Sequence, residues 1–145
     1  MIEGGCLCGG VRFRITGKLG PAGYCHCKQC QRASGSAFAA NAPARTRYFQ
    51  LTAGGELVSE YESSPGKFRA FCTRCGSPIY SRRLSEPDIR RIRLSTLDSD
   101  PERRPLAHVW VSSKAAWYSI QDSLPQYPEG IVPENFTKPR GPGGS

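Results

Sequence analysis

Val11, Phe13 and Ile15 alternate with Arg12, Arg14 and Thr16, the period-two pattern of a half-buried strand. Similar short segments follow at residues 48–52, 57–61, 67–71 and 79–81. Ile92 and Leu94 alternate with polar neighbours before Asp98, and residues 108–112 form a further strand candidate. Turn residues separate these runs, notably Gly54-Gly55, read as a hairpin between two strands, and Ser63-Ser64-Pro65-Gly66. The one local helix candidate runs from Lys28 to Ser34 and is stopped by Gly35 in a C′ position. From Pro125 onward the alternation is lost and proline and glycine accumulate. The expectation is a mainly β single domain over residues 1–132, followed by a flexible tail over 133–145.

Composition narrows the class. Hydrophobic residues at 38% and charged residues at 22% of 145 describe an ordinary globular chain, neither disordered nor membrane-spanning. The start, Met1-Ile2-Glu3-Gly4-Gly5, has no basic n-region and no apolar stretch, so the sequence reads as lacking a secretory signal and as cytoplasmic. In that compartment clustered thiols bind metal more often than they pair as disulfides. The formal net charge is +8. Seven thiolates holding two Zn²⁺ would lower it to about +5. Arg82, Arg83, Arg90, Arg91 and Arg93 concentrate that charge, which suits a solvated basic face, an attraction for small acidic substrates or a nucleic-acid surface.

The chemistry lies in seven cysteines. Cys6 and Cys8 sit two apart, which on an extended segment puts both sulfurs on one side. Cys72 and Cys75, followed by Gly76, have the spacing of a zinc knuckle. Joining the pairs would clamp the first strand to a distant hairpin. Between them stands Cys25-His26-Cys27-Lys28-Gln29-Cys30, whose three sulfurs can converge from one short loop if a helix starts near Lys28. That helix would set its positive end beside the thiolates. Seven divides into four and three: a closed structural zinc takes four protein ligands, and a catalytic zinc takes three and keeps a position open. A site drawn from Cys6, Cys8, Cys25 and Cys27 is the alternative, at the expense of splitting the compact triple. His26, between two ligands, reads as a pocket residue beside the metal rather than a ligand. The three-ligand site, one ligand short and more exposed, is expected to lose metal first.

These residues resemble a family. The run Gly5-Cys6-Leu7-Cys8-Gly9-Gly10-Val11, then Cys25-His26-Cys27 with Cys30-Gln31, Ser34 and Gly35, then Cys72-Thr73-Arg74-Cys75-Gly76-Ser77, is similar to the glutathione-dependent formaldehyde-activating enzymes. So is the segment from His108 to Tyr118, His-Val-Trp-Val-Ser-Ser-Lys-Ala-Ala-Trp-Tyr, with Leu124-Pro125 after it. The likeness runs from about Gly4 to Tyr127. It implies a β-tent fold of packed antiparallel sheets, structural zinc at Cys6, Cys8, Cys72 and Cys75, and catalytic zinc at Cys25, Cys27 and Cys30. The family's reaction joins glutathione and formaldehyde to S-(hydroxymethyl)glutathione, a carbon–sulfur lyase activity. The family also includes centromere-protein-V-like relatives associated with chromosomes and microtubules.

Two functions follow. One is a zinc enzyme acting on glutathione or another small thiol adduct, with Phe38 and Tyr48 as pocket walls or as core residues. Its two zincs are cofactors, glutathione is its small-molecule partner, and no membrane takes part. The other is a non-catalytic, zinc-stabilised binding module for protein or nucleic acid, in which Trp110 and Trp117 would stack. Both tryptophans read more naturally as core residues, which weighs against a nucleic-acid partner. The redox-like spacing of Cys72 and Cys75 carries a third reading, which its companion clusters turn towards metal ligation.

Overall fold

In chain order the elements are β1 (Ile2–Gly5), β2 (Arg12–Ile15), β3 (Gly23–Cys25), α1 (Lys28–Ser34), β4 (Ala39–Arg45) and β5 (Phe49–Ala53). There follow β6 (Val58–Ser64), β7 (Lys67–Cys72), β8 (Pro78–Arg83), β9 (Ile89–Arg93) and β10 (His108–Val109). The computed structural model describes residues 1–131, and the tail expected over 133–145 lies outside them. The fold is mainly β, with one α-helix among the described residues. The described residues form two compact units, Met1–Pro21 with Asn41–Arg103, and Ala22–Ala40 with residues 104–131.

In the first unit the alternation at the start of the chain becomes β2, paired antiparallel with β1 on one side and β5 on the other. Val11, Phe13 and Ile15 are fully buried. Arg12 and Arg14 face outward and pair with Asp98 and Glu3. A second ladder runs β4-β9-β8-β7-β6, each neighbour antiparallel. Ile79 and Ile92 are fully buried, and Phe49 of β5 bridges the rings of Phe13 and Tyr80 at 5.4 and 5.5 Å.

Three expectations change. Gly54-Gly55 is no hairpin, because β5 pairs with β2 and β6 pairs with β7. Gly54 has φ 73°, and a Cβ there would lie 2.1 Å from the Gly10 carbonyl oxygen, so the chain presses against Gly10 and leaves through a 3₁₀ turn at Gly55–Leu57. The alternation through Leu94 breaks into another 3₁₀ turn at Leu94–Thr96. The candidate at 108–112 keeps only two strand residues, since Trp110 adopts φ 58° and turns the backbone away.

The second unit holds α1 and the pair β3 and β10, which is parallel, unlike the ladders of the first unit. Helix α1 covers the expected residues and stops at Gly35, whose φ of 62° lets its N–H bond back to the Gln31 carbonyl. Among the described residues, the buried side chains here are small alanines, Cys30 and two histidines, His26 and His108.

Candidate metal centres

The sulfurs gather as four and three, not by the alternative grouping. In the first unit Cys6, Cys8, Cys72 and Cys75 bring their sulfurs within 4.8 Å of one another. Cys6 follows β1 and Cys72 ends β7, so the cluster joins two stretches more than sixty positions apart in sequence. Cys6 and Cys8 reach it from a turn, not from the extended segment expected. Gly9 donates to the Cys6 carbonyl at 3.1 Å, and the two sulfurs stand 3.5 Å apart. The knuckle at the other side matches its spacing: Gly76, at φ 79°, donates to the Cys72 carbonyl at 2.7 Å.

Donors surround these sulfurs. Val11 N–H points at Cys6 Sγ across 3.2 Å, and Arg74 Nε donates to Cys8 Sγ at 3.3 Å. Ser77 Oγ accepts from Leu7 N–H at 2.8 Å and lies 3.3 Å from Cys75 Sγ. The Ser77 side chain and backbone hold the Cys75 thiol down to about 5. Cys8 is lowered by the Gly10 backbone and then by Arg74, whereas burial pushes Cys72 up. Thiolate-stabilising donors around a crowded set of four sulfurs, two of them on buried cysteines, fit a cation at the centre.

In the second unit Cys25, Cys27 and Cys30 also lie within 4.8 Å of one another. Cys25 closes β3. Cys27 is the N-cap of α1, its sulfur accepting from Cys30 N–H at 3.3 Å, and Cys30 lies in the first turn. Hydrogen bonds to Cys27 and Cys30, with burial behind them, drive the Cys25 thiol to hold its proton. A cation among the three would relieve that conflict, and three sulfurs leave a tetrahedral ion one position short. Cys25 and Cys27 are half-buried and Cys30 is buried, while Cys8 of the other cluster is exposed. The expectation that the triple is the more exposed site therefore does not hold.

His26 is not part of the triple's ligand set. Its ring is fully buried, packed at 5.3 Å from the Phe38 ring and 6.2 Å from Tyr118. Nε2 lies 2.8 Å from Nδ1 of His108, whose Nε2 lies 3.0 Å from Asp122 Oδ2. Burial holds His26 below its ordinary value, with His108 and Lys114 adding to the effect. Sequence reasoning missed this line. His108 carried a signal, being one of only two histidines and flanked by apolar residues, but nothing local marked Asp122.

The other readings divide. Phe38 is an aromatic neighbour of His26 and Tyr24 in the second unit. Tyr48 sits in the first unit beneath the Arg47 guanidinium, with its ring against Gly17. Trp110 and Trp117 are not core residues. Trp110 is 38% exposed at its left-handed turn and Trp117 75% exposed. Four of the five clustered arginines are engaged within the protein: Arg82 with Glu60, Arg91 with Glu86, Arg93 with Asn41, and Arg90 over the Tyr80 ring. No helix among the described residues is long and apolar enough to cross a membrane.

The family model described as glutathione-dependent formaldehyde-activating enzyme matches residues 1–113. A Halomonas elongata protein whose name assigns it to those enzymes is 32% identical over 130 residues, covering 83% of this chain and 82% of its own. A crystal structure of a Rhodobacter sphaeroides protein superposes with a TM-score of 0.58 at 25% identity, over 67% of this chain and 88% of that one.

Proposed function

The chain belongs to the glutathione-dependent formaldehyde-activating enzyme family, and on that premise we propose that it is a zinc enzyme adding the sulfur of glutathione to formaldehyde. Cys25, Cys27 and Cys30 would hold the catalytic zinc, and Cys6, Cys8, Cys72 and Cys75 the structural one. The observation that carries this reading is the convergence of three sulfurs from one short segment of the second unit. A zinc held there would supply an open position at which a thiol gives up its proton readily. Three thiolates around it leave a net charge of about −1 and a weak Lewis acid, which favours thiol chemistry over activation of water.

The addition balances without a further reactant. The thiol sulfur forms a bond to the carbonyl carbon, the carbonyl π pair moves to oxygen, and the thiol proton ends on that oxygen as the hydroxymethyl group. The reverse direction breaks the carbon–sulfur bond, which is the lyase sense. The chain's own residues shape the site: α1 fixes Cys27 and Cys30 relative to each other, and β3 delivers Cys25.

The test is formaldehyde consumption in the presence of glutathione, comparing the intact, zinc-loaded protein with Cys27→Ser. Consumption by the intact protein that Cys27→Ser abolishes is the expected result. Equal rates for both would overturn the reaction assigned here.

A further inference from the structure

His26 is tied at three points. Its backbone N–H donates to the Val109 carbonyl at 3.0 Å, and its carbonyl accepts from Gln31 Nε2 at 2.6 Å. The third tie is the ring, through Nε2 to His108. Gln31 is itself anchored, its Nε2 also donating to the Ser113 carbonyl at 2.9 Å. Cys25 and Cys27 flank His26 directly, so whatever fixes this residue fixes the directions of two of the three sulfurs.

The protons along the line follow from its end. A carboxylate can only accept, so Asp122 selects the form of His108 with its proton on Nε2. In the neutral ring His108 Nδ1 is then bare and accepts the proton carried by His26 Nε2. One lone pair is left over, on His26 Nδ1. That atom is buried and has no partner among the described residues. A network serving burial alone has no reason to leave such a group unmatched. We propose that Asp122 and His108 are positioning residues that lock the tautomer and ring orientation of His26, and through it hold Cys25 and Cys27 in the geometry that retains a metal. This rests on the reading above that the triple holds zinc.

The contacts of Asp122 make the relay testable. Its Oδ1 accepts from Leu124 N–H at 3.0 Å, and both oxygens face His108 Nε2, Oδ1 at 3.1 Å and Oδ2 at 3.0 Å. Asp122→Asn keeps the Oδ1 acceptor that serves both Leu124 N–H and His108 Nε2, whereas Asp122→Leu removes both acceptors from His108. In Asp122→Leu nothing holds the His108 proton on Nε2, and its move to Nδ1 forces His26 to carry its proton on Nδ1. Asp122 is 43% exposed, so this change spares the fold. At His108 the informative pair is Asn, which keeps an acceptor at the Nδ1 position, and Leu, which removes it.

The experiment uses the full-length, zinc-loaded protein. Long-range proton–nitrogen correlation spectra resolve its two imidazoles, and zinc release to a chromogenic chelator reports retention at the second site. The expected pattern has both rings protonated at Nε2 in the wild type and in Asp122→Asn, and proton density shifted to Nδ1 of both rings in Asp122→Leu. Outer-shell partners of metal sites typically contribute about 10–100-fold in affinity. His108→Leu should therefore release the second zinc at least tenfold faster, with His108→Asn close to wild type. Unchanged tautomers in Asp122→Leu, or a wild-type rate in a folded His108→Leu, would overturn the proposal while leaving the zinc assignment intact. If His108→Leu fails to fold, the tautomers of Asp122→Leu decide alone. A wild-type protein that takes up one zinc only would instead sink the assignment of the triple, and this role with it.

Discussion

Arg74 reaches across to Cys8, its Nε donating to the sulfur at 3.3 Å, while its guanidinium lies over Gly10. A cation held by four thiolates carries a net charge of about −2, and Arg74 offsets part of that excess from outside the sulfur set. Arg74→Leu should loosen metal at the four-cysteine cluster, raising its release rate by about tenfold. Gly10→Ala should act in the same direction, because a Cβ there would meet Arg74 Nη2 at 2.5 Å and push the guanidinium off the sulfur. Chelator-driven zinc release checks both, and release as slow as wild type in both variants would deny Arg74 this role.

Loss of a sulfur should have different consequences in the two clusters. Cys75→Ser opens a clamp between the end of β1 and the β7–β8 turn, and a structural zinc can contribute about 10–16 kcal/mol against a domain stability of about 5–15 kcal/mol. Soluble expression or cooperative melting should collapse. Cys27→Ser should keep the fold, because the triple is local and serine is a strong N-cap that can still accept from Cys30 N–H. Thermal denaturation of both variants decides the matter. Equal collapse would make both clusters structural.

Why some features were legible in the sequence follows from how local their causes are. The alternation at Val11, Phe13 and Ile15, the cap at Gly35 and the cysteine spacings are short-range signals, and each appears in the structure at its expected residues. Strand β4 was invisible because its Ala39-Ala40-Asn41-Ala42-Pro43-Ala44-Arg45 run has weak β preference and a proline inside it. It becomes a strand by pairing with β9. Trp110 and Trp117 defeated composition, since aromatic residues are usually core but these occupy turns around 3₁₀ geometry and a loop. The link from Asp122 through His108 to His26 spans contacts 14 and 82 residues apart, which no local pattern encodes.

The Glu60–Arg82 pair should shape the acid limb of stability. Arg82 donates to both carboxylate oxygens at 2.7 Å and Tyr80 adds its hydroxyl at 2.9 Å. Arg82 first, with Tyr80 supporting, holds Glu60 below the usual carboxylate range. A depressed folded value means the pair's contribution is fully present above the ordinary glutamate range and fades as pH falls through the folded one. Glu60→Gln should therefore destabilise the protein at neutral pH, by about 1–2 kcal/mol for a charged, forked hydrogen bond. The difference should vanish in acid. Denaturant titrations of both proteins along a pH series measure it, and a gap that persisted below the glutamate range would contradict the charge-based account.

Metal stoichiometry tests the division of the sulfurs most directly. Exposure does not separate the clusters, because Cys8 of the four-sulfur set is exposed while Cys30 of the triple is buried. Ligand number does. Four sulfurs close the coordination of zinc, and losing the ion there breaks a long-range crosslink, so release must be coupled to opening the first unit. Three sulfurs from one segment leave a coordination position through which a chelator can attack while the fold stays intact. Mass spectrometry under native conditions should find two zincs per chain, one removed by mild chelator with no change in the melting curve, the other only with unfolding. Two ions leaving together, at the rate of unfolding, would mean that the triple is as closed as the quartet and has no open position for a thiol.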